Sequence, residues 1–280
     1  KIDEKGNPIS IYFKESKDAH KLIEEFMLLA NRKVAEFIGK QSLNFVYRIH
    51  DSPDPDKLDI LSVFLKKFGY NLQTENKKTI AQSMNKVLKD IQGSQEANMI
   101  ETLSIKTMAK AVYTTENIGH YGLGFNHYTH FTSPIRRYPD VMVHRLLQHY
   151  LDGGKVFNKN KLEKLCKHSS EMEIIASKAE RDSIKYMQTK YMSQFVGHAF
   201  DGIISGVTDF GIFVEVKNTA CEGLIKLKNI PGDFYIYDNK NYCVYGSQTK
   251  RTITLGDLLK VKIRKVDIEK REIDMVIINI

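Results

Sequence analysis

GHYGLGFNHYTHFTSPIRRYPD, residues 119–140, packs glycines, polar rings, two prolines and two adjacent arginines into one short run. Gly122 and Gly124 permit a sharp turn or a close backbone approach. Thr132-Ser133-Pro134 predicts a helix start: a hydroxyl to cap it, then a ring that fixes φ and lacks an N–H. Arg136 then falls in the first turn, beside unpaired backbone donors. Such donors and a guanidinium fork together suit a phosphate or another anion. On the residues alone, an ordinary loop-to-helix junction with its arginines in solvent is an equal reading. Arg137 lies about 100° further round a helix and reads as a salt-bridge or backbone-contact residue. Asp140 follows Arg136 by four, the spacing that lets it orient that guanidinium. His144, one turn on, reads as a packed histidine rather than a base.

Working outward, Ile9 to Phe13 alternates weakly and predicts a short strand. Asp18 to Gly39 is a strong amphipathic helix, with Leu22, Phe26, Leu29 and Val34 on its apolar side. Glu24, Leu28 and Asn31 share another face, a polar line suited to a channel wall or to a solvated helix edge. The loop Asp51-Ser52-Pro53-Asp54-Pro55-Asp56 leads into a helix over Lys57–Phe68, with Asp56 as its cap. Helices are also expected over Thr79–Ile91 and Asn98–Ala111, from the Ser133 turn to about Tyr150 with Pro139 kinking it or starting it afresh, and over Lys159–Phe195. His120, Tyr121, Tyr128, His130 and Phe131 are rings that can stack on bases, although rings in such a loop are more often core.

The character changes near Gly197. FDGIISGVTDFGIFVEV, residues 200–216, alternates apolar and polar residues, with glycines where a barrel strand must bend. CEGLIKLKNI, NYCVYG, KRTITLGDLLKVKIRKVDI and REIDMVII add further short strands. Five short strands predict a small Greek-key barrel, the OB-fold. The fold class is therefore α+β and multidomain: a mostly helical part over residues 1–195, then a barrel over 196–280. On the barrel, Phe210 and Phe213 are candidate stacking rings, and Lys226 and Lys228 candidate phosphate contacts. Packing is the competing role for one of the two phenylalanines.

The 280 residues carry a net charge of +8, 42% hydrophobic and 27% charged residues. Residues 197–280 hold 12 Lys and Arg against 11 Asp and Glu, so the first part carries nearly all the basic excess. That balance favours an anionic partner loosely. Cys166, Cys221 and Cys243 form no CxxC pair, which fits a reducing cytoplasm and neither a disulfide framework nor a structural zinc site. No apolar run is long enough for a membrane span, and the first residues are not a signal peptide. The chain opens without Met inside an expected strand and reads as a fragment. No Ser-His-Asp or Cys-His set is visible. Asp51, Asp54 and Asp56 read as turn and cap residues rather than metal ligands.

The run 119–140 resembles the motif near the end of the catalytic RNB domain of the ribonuclease R and ribonuclease II family. DAHKLIEEFMLLANRKVAEF (residues 18–37), YRIHDSPDPDKLDIL (47–61) and AVYTTENIGHYGLG (111–124) resemble ribonuclease R segments in the same order. VTDFGIFVEV and EGLIKLKNI resemble the RNA-binding OB domain first described in ribosomal protein S-one. The resemblance implies a processive 3′-to-5′ exoribonuclease that hydrolyses single-stranded RNA to nucleoside monophosphates. It implies Arg136 beside the scissile phosphate, Glu24 near the RNA 3′ end, and Glu180 near a channel mouth. It also implies magnesium held by an Asp-rich motif that nothing in this chain matches, so the chain alone is expected to be inactive. The expected partner is single-stranded RNA, with no membrane and no stable protein partner. The other reading is a non-catalytic RNA-binding protein with a nuclease-like domain.

Overall fold

The computed structural model describes residues 1–13, 15–94, 97–217, 219–239 and 241–279, the side chains of Asn98 and Asn279 excepted. The expected strand over Ile9–Phe13 does not form. The segment is held instead by an isolated bridge between Ile2 and Pro8 and by the terminal amine donating to the Ser10 carbonyl.

Helix α1 spans Asp18–Gly39, as the apolar spacing predicts, but buries a different face: Asn31, Ala35 and Ile38. Leu22, Phe26 and Leu29 are 57%, 60% and 48% exposed. Val34, the last residue of the expected stripe, is half-buried against the core, whereas the first half of the helix runs past that core and leaves the other three about half exposed. Strands β1 (Tyr47–Ile49) and β2 (Val112–Thr114) pair antiparallel. At three residues each they are too short to show a periodicity.

Helix α2 (Pro55–Lys66) is capped by Asp54, whose carboxylate accepts from the amides of Asp56 and Lys57. Pro55 fixes the first helical φ, which moves the cap two residues before the expected Asp56. Helix α3 (Lys77–Asp90) starts earlier than Thr79 because Asn76 caps it, with Thr79 closing the reciprocal bond. Helix α4 (Ala97–Thr107) stops short of Ala111, where the chain turns into β2. Helix α5 covers Tyr138–Leu151 with Pro139 in its first turn, so this proline starts the helix rather than kinking one. Helix α6 (Lys159–Met192) is followed by a 3₁₀ turn over Ser193–Phe195.

The remaining strands are β3 (Ala199–Val207), β4 (Gly211–Val216), β5 (Cys221–Lys226), β6 (Tyr235–Asp238), β7 (Cys243–Gly246), β8 (Thr252–Thr254), β9 (Leu258–Asp267) and β10 (Glu272–Asn279). Five of them close a barrel in the order β10-β5-β4-β3-β9, with β10 and β5 parallel. That is the expected OB arrangement. The segments NYCVYG and KRTIT are not barrel strands. They form β7 and β8 of a separate three-stranded meander with β6.

Two cores result. One gathers α1, β1, β2, α5 and the start of α6 around Ile38, Phe45, Val46, Val143 and Cys166. The other joins α2, α3 and α4 with the barrel and meander. Phe64 of α2 meets Tyr242 of the meander edge-on at 5.6 Å, and Lys67 donates to the Asn241 amide oxygen.

Candidate nucleic-acid interface

A cleft of about 470 Å³ opens between the first half of α1 and the loop that precedes α5. Glu24, Leu28 and Asn31 line it together, as their spacing predicts, opposite Tyr128, Thr132 and Arg137. The loop is fixed from behind by Asn31, which is 3% exposed. Its Nδ2 donates to the Tyr128 hydroxyl at 3.1 Å, and its Oδ1 accepts from the amides of Phe131 and Thr132 at 2.9 and 3.2 Å.

The arginine turn differs from its sequence reading. Residues 134–136 form a turn, with the amides of Arg136 and Arg137 both donating to the Ser133 carbonyl. The helix begins only at Tyr138. Arg136 therefore precedes the helix and is not in its first turn. Asp140 does not orient Arg136. Fully buried, it accepts from the Ser133 amide at 2.8 Å and from Arg137 Nη2 at 2.9 Å. Arg137 Nε lies 2.8 Å from its other oxygen, an ion-pair contact bent too far for a hydrogen bond. The geometric reason is that the extended backbone at Arg137 aims that guanidinium back at the first helical turn. Arg136 is exposed, and its guanidinium has no hydrogen bond or ion pair among the described residues. His144 Nε2 donates to the Phe131 carbonyl at 2.8 Å, and its ring stacks on that of Phe131 at 4.0 Å.

Behind the loop sits a packed set of rings. The Tyr113 hydroxyl is 2.7 Å from His130 Nδ1, and the Arg48 guanidinium lies over the Tyr113 ring while bonding Glu173 at 2.6 Å. Burial pushes the Tyr113 hydroxyl up to about 12. Burial, then the charges of Arg137 and Arg48, pushes His130 down to about 3. His120 is pushed down to about 4 by burial and by neighbouring His50. Its Nδ1 accepts from the Leu123 amide, and Tyr121 packs against the barrel-side core. Both are thus held in protein contacts rather than lining the cleft. Gly124 takes a left-handed φ of +67°, and a Cβ on Gly122 would lie 3.0 Å from His50 Nδ1, so each glycine is there for the reason its position implied.

Glu180 is exposed on α6, outside the cleft. On the barrel, Phe210 is 54% exposed and Phe213 half-buried, their rings edge-on at 5.9 Å. Lys226 ends β5 facing outward, whereas Lys228 sits in a 3₁₀ turn over Leu227–Asn229; both are exposed. Among the described residues no three His, Cys, Asp or Glu side chains group as a metal site. Asp54 is spent on capping, and Asp51 bonds Ser52 and Lys77. These acids do not fit a magnesium site. No described helix is long and apolar enough to cross a membrane. Arg48, Tyr113 and His50 were not legible as site residues, since nothing local in sequence marks them.

Residues 1–153 match the RNB domain. The chain belongs to the RNB family. Residues 193–278 match the S1 RNA binding domain, so the whole of α6 lies between the two matched parts. Ribonuclease R of Aquifex aeolicus is 38% identical over 281 residues, covering 99% of this chain and 40% of that protein. The apo form of Mycoplasma genitalium RNase R superposes with a TM-score of 0.88 at 32% identity, covering 99% of this chain and 44% of that one. The same protein in complex with ribose-methylated single-stranded RNA gives 0.87, over the same shares. The chain thus spans about 40% of the length of the relatives it matches.

Proposed function

We propose that this chain is part of a ribonuclease R-like exoribonuclease that takes single-stranded RNA 3′ end first and hydrolyses it to nucleoside 5′-monophosphates. The observation that carries this reading is the turn over residues 133–137. Asn31 anchors the two residues before it, Asp140 accepts from the Ser133 amide and pairs with Arg137, and the Arg136 guanidinium has no hydrogen bond or ion pair among the described residues. A guanidinium that no protein partner engages is available to the charge that develops on the phosphoryl oxygens. In this reading Glu24, which lines the cleft, accepts from ribose hydroxyls of the RNA 3′ end. Phe210 and Phe213 offer stacking surface, and Lys226 and Lys228 phosphate contacts, for a strand tracking over the barrel. In this reading magnesium is held by residues outside the chain, so the 280 residues alone bind RNA without cleaving it. The solved complex of M. genitalium RNase R with single-stranded RNA supports the substrate class.

The test is release of mononucleotides from end-labelled single-stranded RNA by the full-length protein. Arg136→Ala is expected to slow single-turnover cleavage by about 10² or more, with folding unchanged because the guanidinium makes no hydrogen bond or ion pair among the described residues. An unaltered rate would remove Arg136 from the chemistry.

A further inference from the structure

Residues 128–132 alternate in their contacts. Tyr128 and Thr132 line the cleft, whereas Thr129 turns away to donate to the Val46 carbonyl at 2.7 Å and Phe131 lies on His144. His130 is half-buried and is not itself among the residues that line the cleft; its ring lies edge-on to that of Tyr128, which is, at 5.7 Å. Its Nδ1 is engaged by the Tyr113 hydroxyl at 2.7 Å. The Tyr113 hydroxyl has no other hydrogen-bond partner among the described residues. With the hydroxyl donating to Nδ1, the imidazole hydrogen is on Nε2. Nε2 has no partner among the described residues and is not among the buried unpaired atoms.

We propose that His130 is a further RNA-contact residue, a neutral donor whose Nε2–H engages a phosphate oxygen beside the one Arg136 faces. The proposal rests on the reading of the Arg136 turn as a phosphate site, and it adds a residue that reading does not use. A neutral donor complements the guanidinium by fixing direction without adding charge. The groups facing the ring are Tyr113 and Arg48 from the two short strands, His120 from the glycine loop, and Arg136 and Arg137 from the turn; Glu173 pairs with Arg48 and Asp140 with Arg137. Burial and these cations hold the ring near 3, far below the ordinary 6.5. The donor is therefore present throughout pH 5–8, and its contribution does not titrate there. A histidine with ordinary acidity would gain charge, and RNA affinity, as pH falls through about 6.5.

The experiment is fluorescence anisotropy of a short 5′-labelled oligouridylate with dilute chain. His130→Phe keeps a ring but loses the donor, and is expected to weaken binding about tenfold at every pH from 5 to 8, the scale of one hydrogen bond to a charged group. His130→Gln, which restores an N–H, is expected to recover most of the loss. Unchanged affinity in His130→Phe overturns the proposal. So does a wild-type affinity that rises several-fold between pH 7.5 and 5.5 and ceases to do so in His130→Phe. ¹⁵N spectra of the imidazole give a readout independent of any variant's folding: an Nδ1–H tautomer overturns the assignment. If Arg136→Ala weakens binding and His130→Phe does not, this proposal alone falls. If both are silent while Phe210→Ala weakens binding, the phosphate reading of the turn falls with it.

Discussion

Asn31 shows how one side chain shapes the candidate site. Its amide is divided between the Tyr128 hydroxyl on one side and two successive backbone amides on the other, and no charge is involved. Removing it strands two loop donors in a place water reaches poorly, which is more costly than losing the bonds themselves. Asn31→Ala is expected to lower stability by about 2–3 kcal/mol in urea unfolding. It is also expected to loosen the Tyr128–Thr132 segment, read as faster amide exchange at Phe131 and Thr132. Unchanged exchange at those two amides would show that the loop is held by other contacts. Asp140 does the comparable work for the arginine turn, and its burial explains why Arg137 is not available to a ligand: a carboxylate without solvent keeps its cation.

At the scale of elements, the ends of the helices were harder to read than their existence. A cap depends on which side chain reaches which orphan amide, and two candidates two residues apart compete for the job. In the PDPD stretch, Asp54 wins because Pro55 cannot donate and sets the entry angle. Asp54→Ala is expected to cost about 1 kcal/mol, and Asp56→Ala to stay within about 0.5 kcal/mol. Equal losses in chemical denaturation would contradict the assignment of the cap. The start of α5 moves from Pro134 to Tyr138 without any side-chain cap, because the backbone is extended at Arg137, and Arg136 is left outside the helix.

At the scale of the molecule, the stripe Leu22, Phe26 and Leu29 on α1 is the largest departure from a finished surface. Three large side chains about half exposed on one helix face are unusual for an isolated soluble chain. Tyr12 and Phe13 add two more exposed rings, 72% and 61% accessible. The 280-residue chain is expected to self-associate at micromolar concentration. The double variant Leu22→Gln/Phe26→Gln should shift sedimentation towards a monomer. A monomer already in the wild type would mean that this face needs no cover.

Sequence by itself determined the class of element at most positions, the family resemblance, the barrel, the α1 face bearing Glu24, Leu28 and Asn31, and the importance of the glycine-arginine run. These are set by local periodicity, by turn residues with few permitted conformations, and by motif spacing, all written along the chain. Tertiary structure alone decided the rest. It gave Asp140 to Arg137 rather than Arg136, turned the expected core stripe of α1 outward, set β7 and β8 apart from the barrel, and joined α2–α4 to the barrel core. It also brought Tyr113, Arg48 and His130 together. The Asp140–Arg137 pair turns on the extended backbone at Arg137, which its sequence does not mark; the others depend on which surfaces, separated along the chain, meet, and such pairings leave no period for a sequence to display.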